Sequence, residues 1–131
     1  MPSAEDITKT VNRYIELVSK GTADEIADLF ASDATVEDPV GGGEIHIGRQ
    51  AIHGFFANVA GLEREAELVT LRVAGNEAAF QFWIKVGGAL IEPIDVMVFN
   101  DAGEVQAMKS YWSPARHDFH SRLDTTGSPT V

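Results

Sequence analysis

Three side chains sit where their types could do chemistry: Tyr14, Asp38 and Asp95. Asp95 lies in the run IEPIDVMVF, residues 91–99, sharing a strand face with Ile91, Pro93, Met97 and Phe99, while Ile94 and Val96 make the other face apolar too. An unpaired carboxylate in such a setting is costly, so it must pair, hydrogen-bond or give up its charge. Two readings stay open: an Asp bonded to a backbone amide or to an Arg across the sheet, or an Asp kept protonated and able to donate a hydrogen bond to an oxygen. Tyr14 alone reads as a core tyrosine whose hydroxyl finds a local partner. Asp38 alone, beside Pro39 and a glycine turn, reads as a turn or cap residue. Together they describe a reaction. A pocket with two neutral O–H donors and one ionised carboxylate could enolise a ketone, the donors holding the developing oxyanion while the carboxylate moves a proton.

Those side chains need elements to position them. Ile7, Val11, Tyr14, Ile15 and Val18 recur at helical spacing, which predicts a helix over residues 3–20, capped by Ser3, stopped by Gly21 and turning Tyr14 inward. Thr22 and Glu25 form a capping-box pattern ahead of Ile26, Leu29 and Phe30, so a second short helix begins at once. Alternation over residues 34–38 places Ala34, Val36 and Asp38 on one strand face before Pro39 and the glycines at 41–43 force a turn. A third helix over residues 49–60 presents Ile52, Phe55, Phe56 and Val59. Strands follow near 64–74, 77–86, 89–99 and 104–112, separated by turn signals at 75–76, 87–88 and 100–103. Helices first and an antiparallel meander afterwards predict an α+β fold, with three helices from the N-terminal half packed on one face of a curved sheet. Such a cone has an apolar interior pocket.

The 131 residues, 44% hydrophobic, suit a single domain over 1–131, with residues from about 117 onward a partly ordered tail. A formal net charge of -10 repels phosphate backbones and anionic lipid, so neither nucleic acid nor membrane is expected as a partner. A neutral or cationic small molecule, or a protein, is easier to accommodate. The lack of cysteine removes disulfides, thiolate nucleophiles and cysteine metal sites, and is compatible with a cytoplasmic location. The first residues read as neither signal peptide nor anchor, and no apolar run approaches membrane-spanning length.

RYIELV at 13–18, DATVEDPVG at 33–41, AI at 51–52, FFAN at 55–58, NEAAF at 76–80, PID at 93–95 and YW at 111–112 resemble the bacterial Δ5-3-ketosteroid isomerases, in order from about residue 10 to 113. The resemblance implies a cone fold like that of nuclear transport factor two and a homodimer. It also implies steroid Δ-isomerase activity without metal or cofactor. The residue matching Asp38 would be the general base, and those matching Tyr14 and Asp95 would form the oxyanion hole. Phe56, Val59, Phe80, Phe82, Met97 and Trp112 are candidates for contacting a flat 3-ketosteroid, each with core filling as the competing role.

The chain departs from that pattern in places. Some relatives extend the hydrogen-bond network with tyrosines where this chain has Phe56 and Phe30, so a shorter network is expected. Residues 43–48 differ from the family pattern, and the tail beyond Pro114 matches nothing in it. Related cones include polyketide cyclases, dehydratases and epoxide hydrolases, and fold alone does not select among them. An epoxide hydrolase would want additional carboxylate, Arg and Asn groups around a water, a set not evident here. A non-catalytic module binding an apolar ligand is the remaining alternative. The glycines at 41–43 lack the ending of a phosphate loop. His117 and His120 lack a third metal ligand, and His46 and His53 show no partner pattern.

Overall fold

The computed structural model describes residues 1–42 and 44–114, and the backbone of 120–123 and 129–130. Helix α1 (Ala4–Lys20) begins at a reciprocal cap in which Ser3 Oγ accepts from Asp6 N–H and Asp6 accepts from Ser3 N–H. Its stripe of Ile7, Val11, Tyr14, Ile15 and Val18 is buried, together with Leu17. Gly21 ends the helix by close approach, because a Cβ there would lie 2.6 Å from Leu17 Cδ2 and 2.9 Å from its Cα. Helix α2 (Ala23–Ala27) carries the Thr22/Glu25 capping box and is shorter than expected. Phe30, read as part of that helix, instead opens strand β1 (Phe30–Glu37), where it is fully buried. The preference of its backbone for pairing with the sheet overrides the helical spacing of its side chain.

Strand β2 (Ile45–Ile47) is an element the sequence pattern did not reveal, since three residues are too few to show alternation. It pairs with β1, and helix α3 (Arg49–Ala60) follows directly, burying Ile52 and Phe56. Strands β3 (Arg64–Ala74) and β4 (Glu77–Val86) keep the expected bounds. The expected strand over 89–99 is broken into β5 (Ala89–Ile91) and β6 (Ile94–Phe99), because Pro93 has no N–H to offer a ladder. Strand β7 (Val105–Tyr111) completes a seven-stranded curved sheet of order β2-β1-β7-β6-β4-β3, with β5 on β4. A separate ladder joins β8 (His120–Leu123) to β9 (Pro129–Thr130).

The expected meander holds for β3, β4, β6 and β7, but β1 runs parallel to β7. The helices lie on the inner face, and Phe30, Phe80, Phe99, Met97 and Met108 are buried between the layers. Burying each of these contributes about 2–3 kcal/mol. The outer face of β6 is more open than its apolar character suggested: Ile94 is 49% exposed in the single chain.

Candidate active site

Register across the sheet decides which inner-face residues become neighbours. Ala78, Met97, Met108 and Val36 form one row across β4, β6, β7 and β1, all buried. Two residues along each strand, Phe80 pairs with Asp95 and Asp95 with Ser110. The parallel register sets Glu37, the last residue of β1, against Lys109, and the next residue, Asp38, has its carboxyl within reach of the Ser110 hydroxyl. Val40 N–H donates to Ser110 O at 2.8 Å and locks that end of β1 to β7. The next inner position, one residue past the end of β7, is Trp112, whose indole N–H donates to Asp38 Oδ1 at 2.7 Å. The site is thus one polar row, Asp95, Ser110 and Asp38, set between apolar rows.

Tyr14 faces this row from α1. Its ring meets Phe56, Phe80 and Phe82 edge-on, with centroids 6.1, 6.2 and 6.4 Å away. Phe30 in turn packs on Phe56 at 6.0 Å. No side-chain hydroxyl is available at either phenylalanine, so apolar contacts surround the phenol where tyrosines would have lengthened a network. Val59 is partly buried against the same cluster, and Met97 is buried beneath Asp95 on β6.

Asp95 is fully buried, and neither carboxyl oxygen has a hydrogen bond of good geometry. That outcome answers one of the two readings: no backbone amide or arginine is bonded to it. Burial drives its pKa well above the usual carboxylate range, the Asp38 charge pushes it further, and the nearby Ser110 hydroxyl opposes the rise in part. Asp95 therefore holds its proton to higher pH than an ordinary carboxyl. Burial also raises the Tyr14 phenol, with smaller contributions from Asp95 and Asp38. Asp38 is only partly buried; desolvation raises its pKa, while the Trp112 N–H, the His46 imidazole and the Ser110 hydroxyl hold it down. The structure thus brings together two groups that hold their protons and one carboxyl that is the easier to ionise.

Two clefts border the Asp38–Trp112 pair from outside. One, of about 540 Å³, is bordered by Asp38, Glu44, His46, Phe55 and Asn58. The other, of about 320 Å³, lies between Trp112 and the β5 segment around Leu90 and Ile91. The bond from Trp112 to Asp38 stands between them. Sequence reasoning missed Ser110, although period-two alternation from Met108 would have turned it inward. It also missed partners of the histidines: His46 stacks on Phe55 at 4.6 Å, and His53 Nε2 lies 2.6 Å from Asp24 Oδ1. The His117 and His120 side chains lie outside the described residues. Among the described residues no cluster of His, Asp and Glu is arranged to hold a metal, and no helix is long and apolar enough to cross a membrane.

A family model described as the SnoaL-like domain matches residues 11–108. The chain is 37% identical over 113 residues to the Steroid Delta-isomerase of Nocardioides simplex, covering 83% of this chain and 91% of that protein. A solved structure of SalBIII, an epoxide hydrolase/cyclase-like enzyme of pyran ring formation in salinomycin, superimposes with a TM-score of 0.79. That alignment covers 88% of this chain and 96% of the other at 23% identity, and so speaks for the fold.

Proposed function

The chain belongs to the SnoaL-like domain family and, within it, to the steroid Delta-isomerases, which are isomerase enzymes, and from that premise we propose that it converts Δ5-3-ketosteroids to Δ4-3-ketosteroids. The observation that carries this reading is Asp95, a fully buried carboxyl with both oxygens unbonded in the same row as the more readily ionised Asp38. An acid kept neutral has one evident use, which is to donate its O–H to an oxygen that acquires charge.

In the proposed cycle the ionised Asp38 takes a proton from C4 of the substrate. The electron pair moves toward the C3 oxygen, giving a dienolate whose oxyanion accepts hydrogen bonds from Tyr14 and Asp95. The same carboxyl then delivers that proton to C6, and the carbonyl re-forms with the double bond conjugated to it. One base beside both carbons makes each transfer effectively intramolecular. The low-dielectric surroundings of Phe56, Phe80, Phe82 and Met97 strengthen both donors. These residues, with Val59 and Trp112, would contact the flat steroid skeleton. The cycle consumes no metal or cofactor.

The reading extends to a cytoplasmic homodimer. Support for the dimer comes from the outer sheet face, where the ladder partners Ile94 and Tyr111 are 49% and 47% exposed. An epoxide hydrolase shares the fold but would want a free arginine beside a water, whereas among the described residues Arg49 is engaged by Phe30 O and Glu104, and Arg64 by helix-end carbonyls.

Incubation with 5-androstene-3,17-dione, followed by ultraviolet absorbance, tests the proposal. A conjugated enone band should grow with the wild type, and about 10²–10⁴ more slowly with Asp38→Asn. A flat trace from folded wild type would rule out the isomerase reading, and an undiminished rate in Asp38→Asn would remove Asp38 as the base.

A further inference from the structure

Ser110 is buried, and the cycle above gives it no part. Its placement sets it apart from an ordinary core serine. The Ser110 carbonyl points toward the β1 side, where it accepts from Val40 N–H. Because a strand residue turns its N–H and C=O to the same side, Ser110 faces Asp95 as a non-hydrogen-bonded pair. Pairs of this kind bring the Cα atoms to about 4.5 Å and the side chains closer than in the alternate pairs. On its other flank lies Asp38, which follows the Glu37–Lys109 pair and has its carboxyl within reach of the Ser110 hydroxyl. The hydroxyl therefore has a carboxyl on each side, on one inner face.

We propose that Ser110 is a positioning residue of the isomerase site, donating its single O–H to the ionised Asp38 carboxylate and tying the base to the row that holds Asp95. Of two neighbouring carboxyls, the charged one is the stronger acceptor, so the proton goes to Asp38. Asp95, left without a bond from Ser110, keeps its own O–H for the substrate oxygen. The hydroxyl lies close enough to lower the pKa of both acids, in keeping with this placement. The role rests on the isomerase reading for its effect on rate, but not for its effect on Asp38.

Asp38 is also faced by His46 from β2, Tyr14 from α1, Asp95 from β6 and Trp112 just past β7, with Glu44 at the cleft rim and, from α3, the uncharged Ala51, Gly54, Phe55 and Asn58. The test must separate Ser110 from these. Trp112 supplies the reporter, because its indole N–H is bonded to Asp38 and the chain has only two tryptophans. The ¹⁵N-indole resonance, assigned with Trp112→Phe, is followed against pH without substrate, in a His46→Gln background that removes the imidazole's influence on Asp38. Ser110→Ala should raise the Asp38 midpoint by about one pH unit, the effect of losing a hydrogen bond to a charged group. Ser110→Thr should restore it. If the alanine variant does not fold, Ser110→Thr against the isosteric Ser110→Val gives the same comparison. An unchanged midpoint in either hydroxyl-free variant overturns the role.

Turnover adds a second readout. In Ser110→Ala, kcat/KM should fall about tenfold below the wild-type midpoint and approach wild type above it. A uniform loss at every pH would mean packing damage and also overturn the proposal. Absence of turnover in the wild type would remove the isomerase reading, while the indole midpoint would still judge Ser110.

Discussion

Trp112 donates its indole N–H to Asp38 Oδ1 at 2.7 Å, joining the end of β7 to the end of β1 across 74 positions of sequence. The bond favours the charged form of a carboxyl that burial otherwise disfavours. Since the proposed base would act as an anion, kcat/KM should rise with pH through a midpoint above the ordinary Asp value of about 3.9. Trp112→Phe removes the donor, so the midpoint should move higher and activity on its acid side should drop several-fold. Steady-state rates across pH decide this, and an acid limb that stays in place in Trp112→Phe would argue that the indole does not favour the charged form.

Tyr14→Phe removes one of the two proposed oxyanion donors while keeping the ring among Phe56, Phe80 and Phe82. A fall in kcat of about 10²–10³ with little change in KM is expected, as for other single donors to a developing oxyanion. Thermal stability should hold or improve. A KM effect without a kcat effect would assign Tyr14 to substrate binding alone.

Asp95 should cost stability in a pH-dependent way. Its folded pKa is raised, so the stability linked to it is fully present below the unfolded value of about 3.9 and is lost as pH rises toward the folded value. The loss runs at about 1.4 kcal/mol per pH unit across that window. Asp95→Asn cannot ionise and should gain on the wild type as pH increases from 4 to 7, while losing activity. Urea denaturation at several pH values measures the difference; parallel stability curves would mean that Asp95 is charged in the folded state.

Arg64 gathers the C-terminal carbonyls of two helices: Nε donates to Val18 O at 2.6 Å, Nη1 to Ala60 O at 2.8 Å, and Nη2 to Gly21 O. Arg64→Ala should destabilise by about 3 kcal/mol, lowering Tm by roughly 10 °C. Arg64→Lys should recover only part of this, because one ammonium cannot reproduce the planar fork. Equal Tm values for the lysine variant and the wild type would reduce Arg64 to a point charge.

Much of this architecture is written in local pattern. The buried stripe of α1 with Tyr14 in it, the caps at Ser3 and Thr22, and the inward faces of Asp38 and Asp95 follow from side-chain period and turn chemistry, which depend only on near neighbours in the chain. The same reasoning found β3 and β4 to the residue, because Gly75 and Asn76 mark their hairpin. It placed Phe30 in a helix and 89–99 in one strand, since spacing alone could not weigh sheet pairing against helical continuation or show where Pro93 interrupts a ladder.

What the sequence determined by itself, then, was which residue types face inward and that two of them are carboxyls that an apolar interior must neutralise or pair. Only the tertiary structure decided that β1 runs parallel to β7, that Asp38, Ser110 and Asp95 fall into one row, and that Trp112 closes on Asp38. The reason is physical: a strand's alternation fixes its faces, whereas its partner and register are set by packing between segments far apart in the chain. Asp95 is unbonded, Asp38 bonded and Ser110 between them because of that packing, and the proposed division of proton donor from proton acceptor comes from it.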